Sequence, residues 1–341
     1  MKKHLNTLFV TSQGTWLSKD GETVSVRIDG ETRLRVPIHL LEGIVCFGNV
    51  TMSPFLMAHC AGNGVGISFL SENGRFLARV EGPVSGNVLL RRTQFRWADG
   101  SVKTAELARA FVLAKVANGR LVLQRAARDH PEKAPDLEPA IEAMARSLSD
   151  VDGADCVDSI RGLEGDAARS YFGAFDHLIV AEEPDFRFRG RSRRPPRDPT
   201  NALLSFVYTL LLHDVRSALE AVGLDPQVGF LHRDRPGRPG LALDLMEELR
   251  AFLADRLVLS LINRRQVKAT GFELRETGGT WMADETRKTV LVAYQERKKE
   301  EIRHPFLDER CTVGAIPHIQ ALLLARTIRG DLDTYPPFFW R

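Results

Sequence analysis

Three segments far apart in the chain carry side chains able to hold a divalent cation. They are Glu164 in Arg161-Gly-Leu-Glu-Gly-Asp, His232 in Gly229-Phe-Leu-His, and Asp244 with Glu247 in Leu243-Asp-Leu-Met-Glu-Glu-Leu-Arg250. Carboxylate and imidazole donors without a thiolate suit Mn²⁺ or Mg²⁺, and Mn²⁺ is the more tolerant of nitrogen. Between the first two segments lies Phe186-Arg-Phe-Arg-Gly-Arg-Ser-Arg-Arg-Pro-Pro-Arg197, with Arg187, Arg189, Arg191, Arg193, Arg194 and Arg197. Guanidiniums grip phosphate oxygens two at a time, which lysines do not. A bound ion would polarise a scissile phosphate, so the combination points to metal-dependent chemistry on a nucleic acid backbone.

Each signal has a plainer competitor. Asp244, Glu247 and Glu248 stand at i, i+3 and i+4 beside Leu245, Leu249 and Phe252, a row that also describes the solvated face of an amphipathic helix. Gly162 and Gly165 flank Glu164; they permit close approach of another group, or the segment is an N-terminal turn with Glu164 near the helix dipole. His232 opens the polar loop Arg233-Asp-Arg-Pro-Gly-Arg-Pro-Gly240, where a lone histidine more often hydrogen-bonds than ligates. The arginine tract also reads as a solvated linker. His213-Asp214 reads as packing and capping, His304 and His318 have no acidic partner at metal spacing, and Gly62-Asn-Gly-Val-Gly66 lacks the dinucleotide-binding spacing.

The elements that must position these groups fall into two regimes. Up to about residue 80, alternating runs such as Thr23-Val-Ser-Val-Arg-Ile and Val65-Gly-Ile-Ser-Phe-Leu are separated by Asp20-Gly, Asp29-Gly and Glu72-Asn-Gly turns. A helix over Ser53–Gly62 interrupts them, with Ser53 as cap and Pro54 in the first turn. From Thr104 the period becomes helical, with further stretches at 137–150, 155–173, 199–222, 241–265 and 312–328, the third starting after Pro199 with Thr200 and Ser205. The expected fold is α+β: a small β-rich domain over 1–85, a linker over 86–103 and a larger, mainly α-helical domain over 104–341 that carries the chemistry. The apolar end Tyr335-Pro-Pro-Phe-Phe-Trp340 is expected to dock on a core or a partner.

Length and composition agree with this. The 341 residues exceed what one core usually fills, and 43% hydrophobic with 27% charged residues is ordinary for a globular protein. A net charge of +3 leaves any anion-binding surface to uneven distribution of charge. Cys46, Cys60, Cys156 and Cys311 form no C-x-x-C pair and read as reduced core thiols. The basic opening Met1-Lys-Lys lacks the apolar run of a signal peptide, and no uninterrupted apolar stretch of membrane-spanning length is present. A cytoplasmic location and no membrane partner are expected.

Arg161-Gly-Leu-Glu-Gly-Asp-Ala-Ala-Arg-Ser-Tyr-Phe172, Arg194-Pro-Pro-Arg-Asp-Pro-Thr-Asn-Ala-Leu-Leu-Ser-Phe-Val-Tyr208, Gly229-Phe-Leu-His232 and Leu241-Ala-Leu-Asp-Leu-Met-Glu-Glu-Leu-Arg250 together resemble, in order and spacing, the CRISPR-associated spacer-acquisition integrase family. His304-Pro-Phe-Leu and the ending around Arg329-Gly-Asp-Leu-Asp-Thr-Tyr-Pro-Pro-Phe338 resemble its I-C subtype. The resemblance implies that Glu164, His232 and Glu247 ligate one Mn²⁺ or Mg²⁺, with Asp244 a supporting acid of the catalytic set. It implies a DNA endonuclease and integrase of antiviral defence, in which the 3′-hydroxyl of a foreign fragment attacks a phosphodiester at the edge of a CRISPR repeat. It also implies double-stranded DNA as partner, a homodimer formed through the β-rich domain, and a heterohexamer with a small ferredoxin-like protein. In the I-C subtype a RecB-like iron–sulfur nuclease joins as well.

Two other classes compete. A non-catalytic DNA-binding scaffold of the same complex would use the arginine tract and be indifferent to chelation. A hydrolase of small phosphate esters would not need the tract.

Overall fold

The computed structural model describes residues 6–340 apart from 73, 75, 81, 83–87, 182 and 277. Met1–Leu5, Asn73 of one expected turn, Pro83 and Gly86 of the expected linker, and the expected domain boundary at 85 lie outside the described residues. Eight strands form the N-terminal part: β1 (Asn6–Val10), β2 (Thr15–Asp20), β3 (Thr23–Ile28), β4 (Glu31–Pro37), β5 (Leu41–Phe47), β6 (Val50–Met52), β7 (Gly66–Leu70) and β8 (Phe76–Val80). Helix α1 (Pro54–Gly62) precedes β7, with the Ser53 side chain accepting from Leu56 N and Pro54 in the first turn. One sheet runs β4-β3-β2-β6 and the other β1-β5-β7-β8. Asp29 and Gly30 both have positive φ, 53° and 81°, the geometry of a two-residue hairpin whose twist matches its strands.

Strand β5 of the second sheet is buried on both faces, and that positions everything beyond it. Along β5, Ile44 and Cys46 join the core between the two sheets, while Val45 and Phe47 join the core of the helical part. Residues on alternate sides of one strand thus belong to different cores. The continuous apolar run Ile-Val-Cys-Phe hides this strand from an alternation search. Phe47 meets Phe206 with ring centroids 5.8 Å apart, and Ser68 Oγ lies 2.9 Å from His213 Nδ1. Tyr294 Oη donates to Asp214 Oδ2 at 2.8 Å and Lys298 pairs with the same oxygen. His213 therefore packs against β7, and Asp214 fastens the helix that carries Tyr294 and Lys298 in place of the expected capping role.

The helical part comprises α2 (Val88–Asp99), α3 (Ser101–Asp129), α4 (Ala134–Asp152), α5 (Val157–Gly173), α6 (Pro199–Ala221), α7 (Gly240–Leu249), α8 (Arg256–Asn263), α9 (Asp284–Lys299) and α10 (Ile316–Arg329). Two short ribbons, β9 (Phe272–Leu274) with β10 (Thr280–Met282) and β11 (Glu301–Arg303) with β12 (Arg310–Thr312), flank α9. Several details differ from expectation: α9, β9, β10 and β11 lie between the expected helical stretches 241–265 and 312–328. The segment 86–103 holds α2, because Leu90 and Gln94 are buried and Gln94 Nε2 donates to the carbonyls of Asp225 and Val228. Helix α6 begins at Pro199 itself, capped by Asp198, whose Oδ1 accepts from Asn201 N at 2.7 Å. The stretch 241–265 is split by a π-helical turn over Arg250–Asp255.

Helix α6 has the length and hydropathy to cross a membrane. Here Leu203, Leu204, Phe206, Val207, Leu210 and Leu211 are buried against the protein's own core. The C-terminal segment docks as expected, with Tyr335 and Phe338 buried and the Trp340 ring between the guanidiniums of Arg125 and Arg256 at 3.8 and 4.3 Å.

Candidate metal centre

Two glycines set the geometry of this site. A Cβ on Gly229 would lie 2.7 Å from the carbonyl carbon of Gly240 and 2.8 Å from Asp244 Oδ2, so only glycine lets the loop before His232 pass this close beneath the start of α7. In consequence Asp244 Oδ2 accepts from Phe230 N and Leu231 N at 2.6 and 2.9 Å. Asp244 Oδ1 accepts from His232 N at 2.9 Å and faces His232 Nδ1 at 2.6 Å. A carboxylate only accepts, so Nδ1 carries a proton, and Nε2 is the ring nitrogen that a neutral imidazole would turn to a metal.

One turn further along α7, Glu247 is buried between two cations. Its Oε1 pairs with Arg250 Nη1 at 2.8 Å, and its Oε2 lies 2.9 Å from Lys115 Nζ on α3. Oε2 accepts no hydrogen bond of good geometry, so the lysine contact is an ion pair. Lys115 also pairs with Glu164 on α5. Burial pushes the Glu247 pKa up, but Arg250, Lys115 and His232 outweigh it and bring it down to about 2. Glu248 serves another purpose, accepting from Tyr335 Oη at 2.7 Å, Phe338 N at 2.7 Å and Gln320 Nε2 at 2.9 Å. Its burial raises it to about 7 despite these donors. All three acids of α7 are buried, which rules out the solvated-face reading.

Glu164 lies in the middle of α5, not in its first turn, and nothing approaches a Cβ built on Gly162 or Gly165 within 4 Å. The N-terminal-turn reading of Glu164 therefore fails, and no protein group makes a close approach at these glycines. Gly165 instead borders a cavity of about 600 Å³ whose wall includes Lys115, Glu164, Arg189, Arg193 and Arg250. Arg187, Arg189, Arg193, Arg194 and Arg197 are exposed. Arg191 is turned inward, its Nη1 donating to Asn201 Oδ1 at 2.7 Å and its Nη2 to Ser205 Oγ at 3.2 Å. Phe186 and Phe188 are buried beside it, so the tract is anchored and not a solvated linker.

Lys115 thus joins Glu164, which lines this basic cavity, to Glu247, while Asp244 holds His232 from behind. Among the described residues, no three His, Cys, Asp or Glu side chains stand together as a metal cage; the Lys115 ammonium bridges Glu164 and Glu247 instead. Lys115 had no sequence signal, whereas Arg250 was visible as the i+3 partner of Glu247. The π-helical turn adds Asp255 to the cavity wall, accepting from Tyr208 Oη at 2.6 Å and Tyr171 Oη at 3.0 Å.

Asp244→Ala would leave three backbone N–H groups and an imidazole without their acceptor, a loss of roughly 3–5 kcal/mol. Urea unfolding measures it, and a loss below about 1 kcal/mol would contradict the anchoring role. Burial raises the Asp255 carboxyl from 3.8 to about 6, so the folded chain holds this proton more tightly than the unfolded chain. Its contribution to stability therefore falls as pH rises from about 4 through about 6. Asp255→Asn should flatten the stability profile in that window, and an unchanged slope would count against this reading.

A model of the family "CRISPR associated protein Cas1" matches residues 8–296. A CRISPR-associated endonuclease Cas1 of Chlorobaculum tepidum is 58% identical over 343 residues, covering 100% of both chains. Among solved structures, a casposase bound to integration product superposes with a TM-score of 0.84 at 20% identity, over 98% of this chain and 94% of that one. A Cas6-RT-Cas1–Cas2 complex gives a TM-score of 0.83 at 22% identity, over 100% of this chain and 36% of that one. At such identities the structures speak for the fold, while the family match and the full-length relative settle membership: the chain belongs to the Cas1 family of CRISPR-associated proteins.

Proposed function

We propose that this chain is a metal-dependent DNA endonuclease and integrase that inserts short foreign DNA fragments into a CRISPR repeat array. The observation that carries the reading is the meeting of Glu164 and Glu247 on one ammonium beside a cavity walled by exposed arginines, with His232 held by Asp244 on the same helix as Glu247. The endonuclease relative and the casposase bound to integration product support the same chemistry.

The donor set fits a divalent ion. Glu247 Oε2 is buried and lacks a well-formed hydrogen bond, His232 has its Nδ1 fixed on Asp244, and a cation already joins the two glutamates. Glu164, His232 and Glu247 would hold Mn²⁺ or Mg²⁺, and Asp244 orients His232 from behind. The ion, when bound, supplies the positive charge that polarises the scissile phosphate. Around it the chain binds and orients: Arg187, Arg189, Arg193, Arg194 and Arg197 grip the backbone, while Arg191 holds the tract in place. Arg250 stays over the Tyr208 ring, 5.0 Å from its centroid, and keeps Glu247 ionised.

The overall reaction is transesterification, repeated on the second strand: a 3′-hydroxyl oxygen replaces the leaving oxygen on phosphorus, and its proton ends on that leaving group. In this reading, residues 1–85 dimerise, where Leu34, Leu40 and Phe55 are exposed, and residues 104–341 catalyse. The partners are double-stranded DNA, a ferredoxin-like protein of the kind in the Cas1–Cas2 complex and, for the I-C subtype, a RecB-like iron–sulfur nuclease, all in the cytoplasm.

Glu164→Ala should abolish joining of a fragment to a supercoiled repeat-bearing plasmid, measured on a gel, while DNA binding persists. EDTA should act on the wild-type protein in the same way. Joining retained in either case would refute the assignment, and EDTA-insensitive DNA binding with no joining by the wild-type protein would favour a DNA-binding scaffold.

A further inference from the structure

We propose that Lys115 is a built-in counter-ion for the metal site, which must leave the Glu164–Glu247 pair before a divalent cation can enter and so sets the metal affinity. The inference rests on the site reading above and adds a positioning residue to it. Lys115 Nζ pairs with Glu164 and stands 2.9 Å from Glu247 Oε2, with its side chain only 17% exposed. One ammonium from α3 thereby holds together two carboxylates carried by α5 and α7, whose mutual repulsion would otherwise spread them.

The neighbouring cation is fastened differently. Arg250 pairs with the other oxygen of Glu247 and lies over the Tyr208 ring, so it can stay in place when an ion arrives. Lys115 has no ring contact among the described residues that would fix it, and its stem lines the cavity of about 600 Å³ into which it can swing. An ammonium on a flexible four-carbon stem is a movable point charge, unlike a planar guanidinium. Of the two contacts to be displaced, Lys115 hydrogen-bonds Glu164, whereas Glu247 Oε2 has no well-formed hydrogen bond.

The consequence is a fixed handicap on metal binding. When only a fraction of molecules has the lysine withdrawn, the apparent dissociation constant is the intrinsic one divided by that fraction. A lysine-out population of about one tenth weakens apparent binding about tenfold, and removing the ammonium removes the handicap. A lysine that merely packed would not tighten metal binding when lost.

The test titrates Mn²⁺ alone into the full chain by calorimetry, with folding of each variant checked by thermal unfolding. Lys115→Met should bind Mn²⁺ about tenfold more tightly than wild type. Lys115→Gln, which keeps a polar end for the carboxylates, should shift the same way and replaces the first comparison if Lys115→Met does not fold. Lys115→Arg keeps the charge and should not tighten binding. Equal or weaker Mn²⁺ binding in the neutral variants overturns the proposal. Glu164→Gln is the control for the site itself: if it binds Mn²⁺ as wild type does, the metal-site reading fails and not only the role of Lys115.

Discussion

Burying a carboxylate costs several kcal/mol unless charge and hydrogen bonds replace the lost water, and α7 buries three within five residues. Each is compensated by a different part of the chain. Asp244 draws in the loop that ends at His232, Glu247 draws Lys115 from α3 and Arg250 from its own helix, and Glu248 draws in the C-terminal segment and Gln320 of α10. The fold around the candidate site is in large part the set of partners these three charges require. Losing any one partner would leave a buried charge short, which couples remote segments to the orientation of α7.

The same constraint explains how a site can be assembled from helices so far apart. Successive residues on a helix point about 100° apart, so Glu247 and Glu248 cannot serve one surface. The first meets Lys115 together with Glu164, and the second faces Tyr335 and Phe338. The C-terminal segment thus holds the back of the helix whose front presents Glu247. Asn118 on α3 ties the two sides, donating to the carbonyls of Glu248 and Phe338 at 2.8 Å each. On the far side, the sheet around the doubly buried β5 seats α6, whose Asn201 and Ser205 anchor Arg191 and thereby the arginine tract.

The legibility of all this in the sequence follows from physical range. Hairpins with Asp-Gly turns, the Ser53-Pro54 start of α1 and most of the long helices are encoded by near neighbours and stand where the pattern placed them, whereas α9 carries no such expectation. β5 lost its alternation because both of its faces are covered, and α2 hid among glycines because its burial depends on Gln94 reaching residues 225 and 228. At the site, donor types and motif order pointed to Glu164, His232 and Glu247. The acids' burial, the inward turn of Arg191 and the bridging Lys115 all come from contacts between distant segments, which spacing along the chain cannot express. Gly229 and Gly240 were visible as letters, but only their mutual contact shows why no larger residue fits.

The central claim is that Glu164, His232 and Glu247 share one divalent ion. It is tested most directly by anomalous X-ray diffraction from a crystal of the full chain equilibrated with Mn²⁺. The expected result is one strong manganese peak bonded to Glu164, Glu247 and the Nε2 of His232, with Asp244 still on the Nδ1 side of the ring. A peak liganded by Asp244 in place of Glu247, or no manganese between α5 and α7 at saturating concentration, would contradict it.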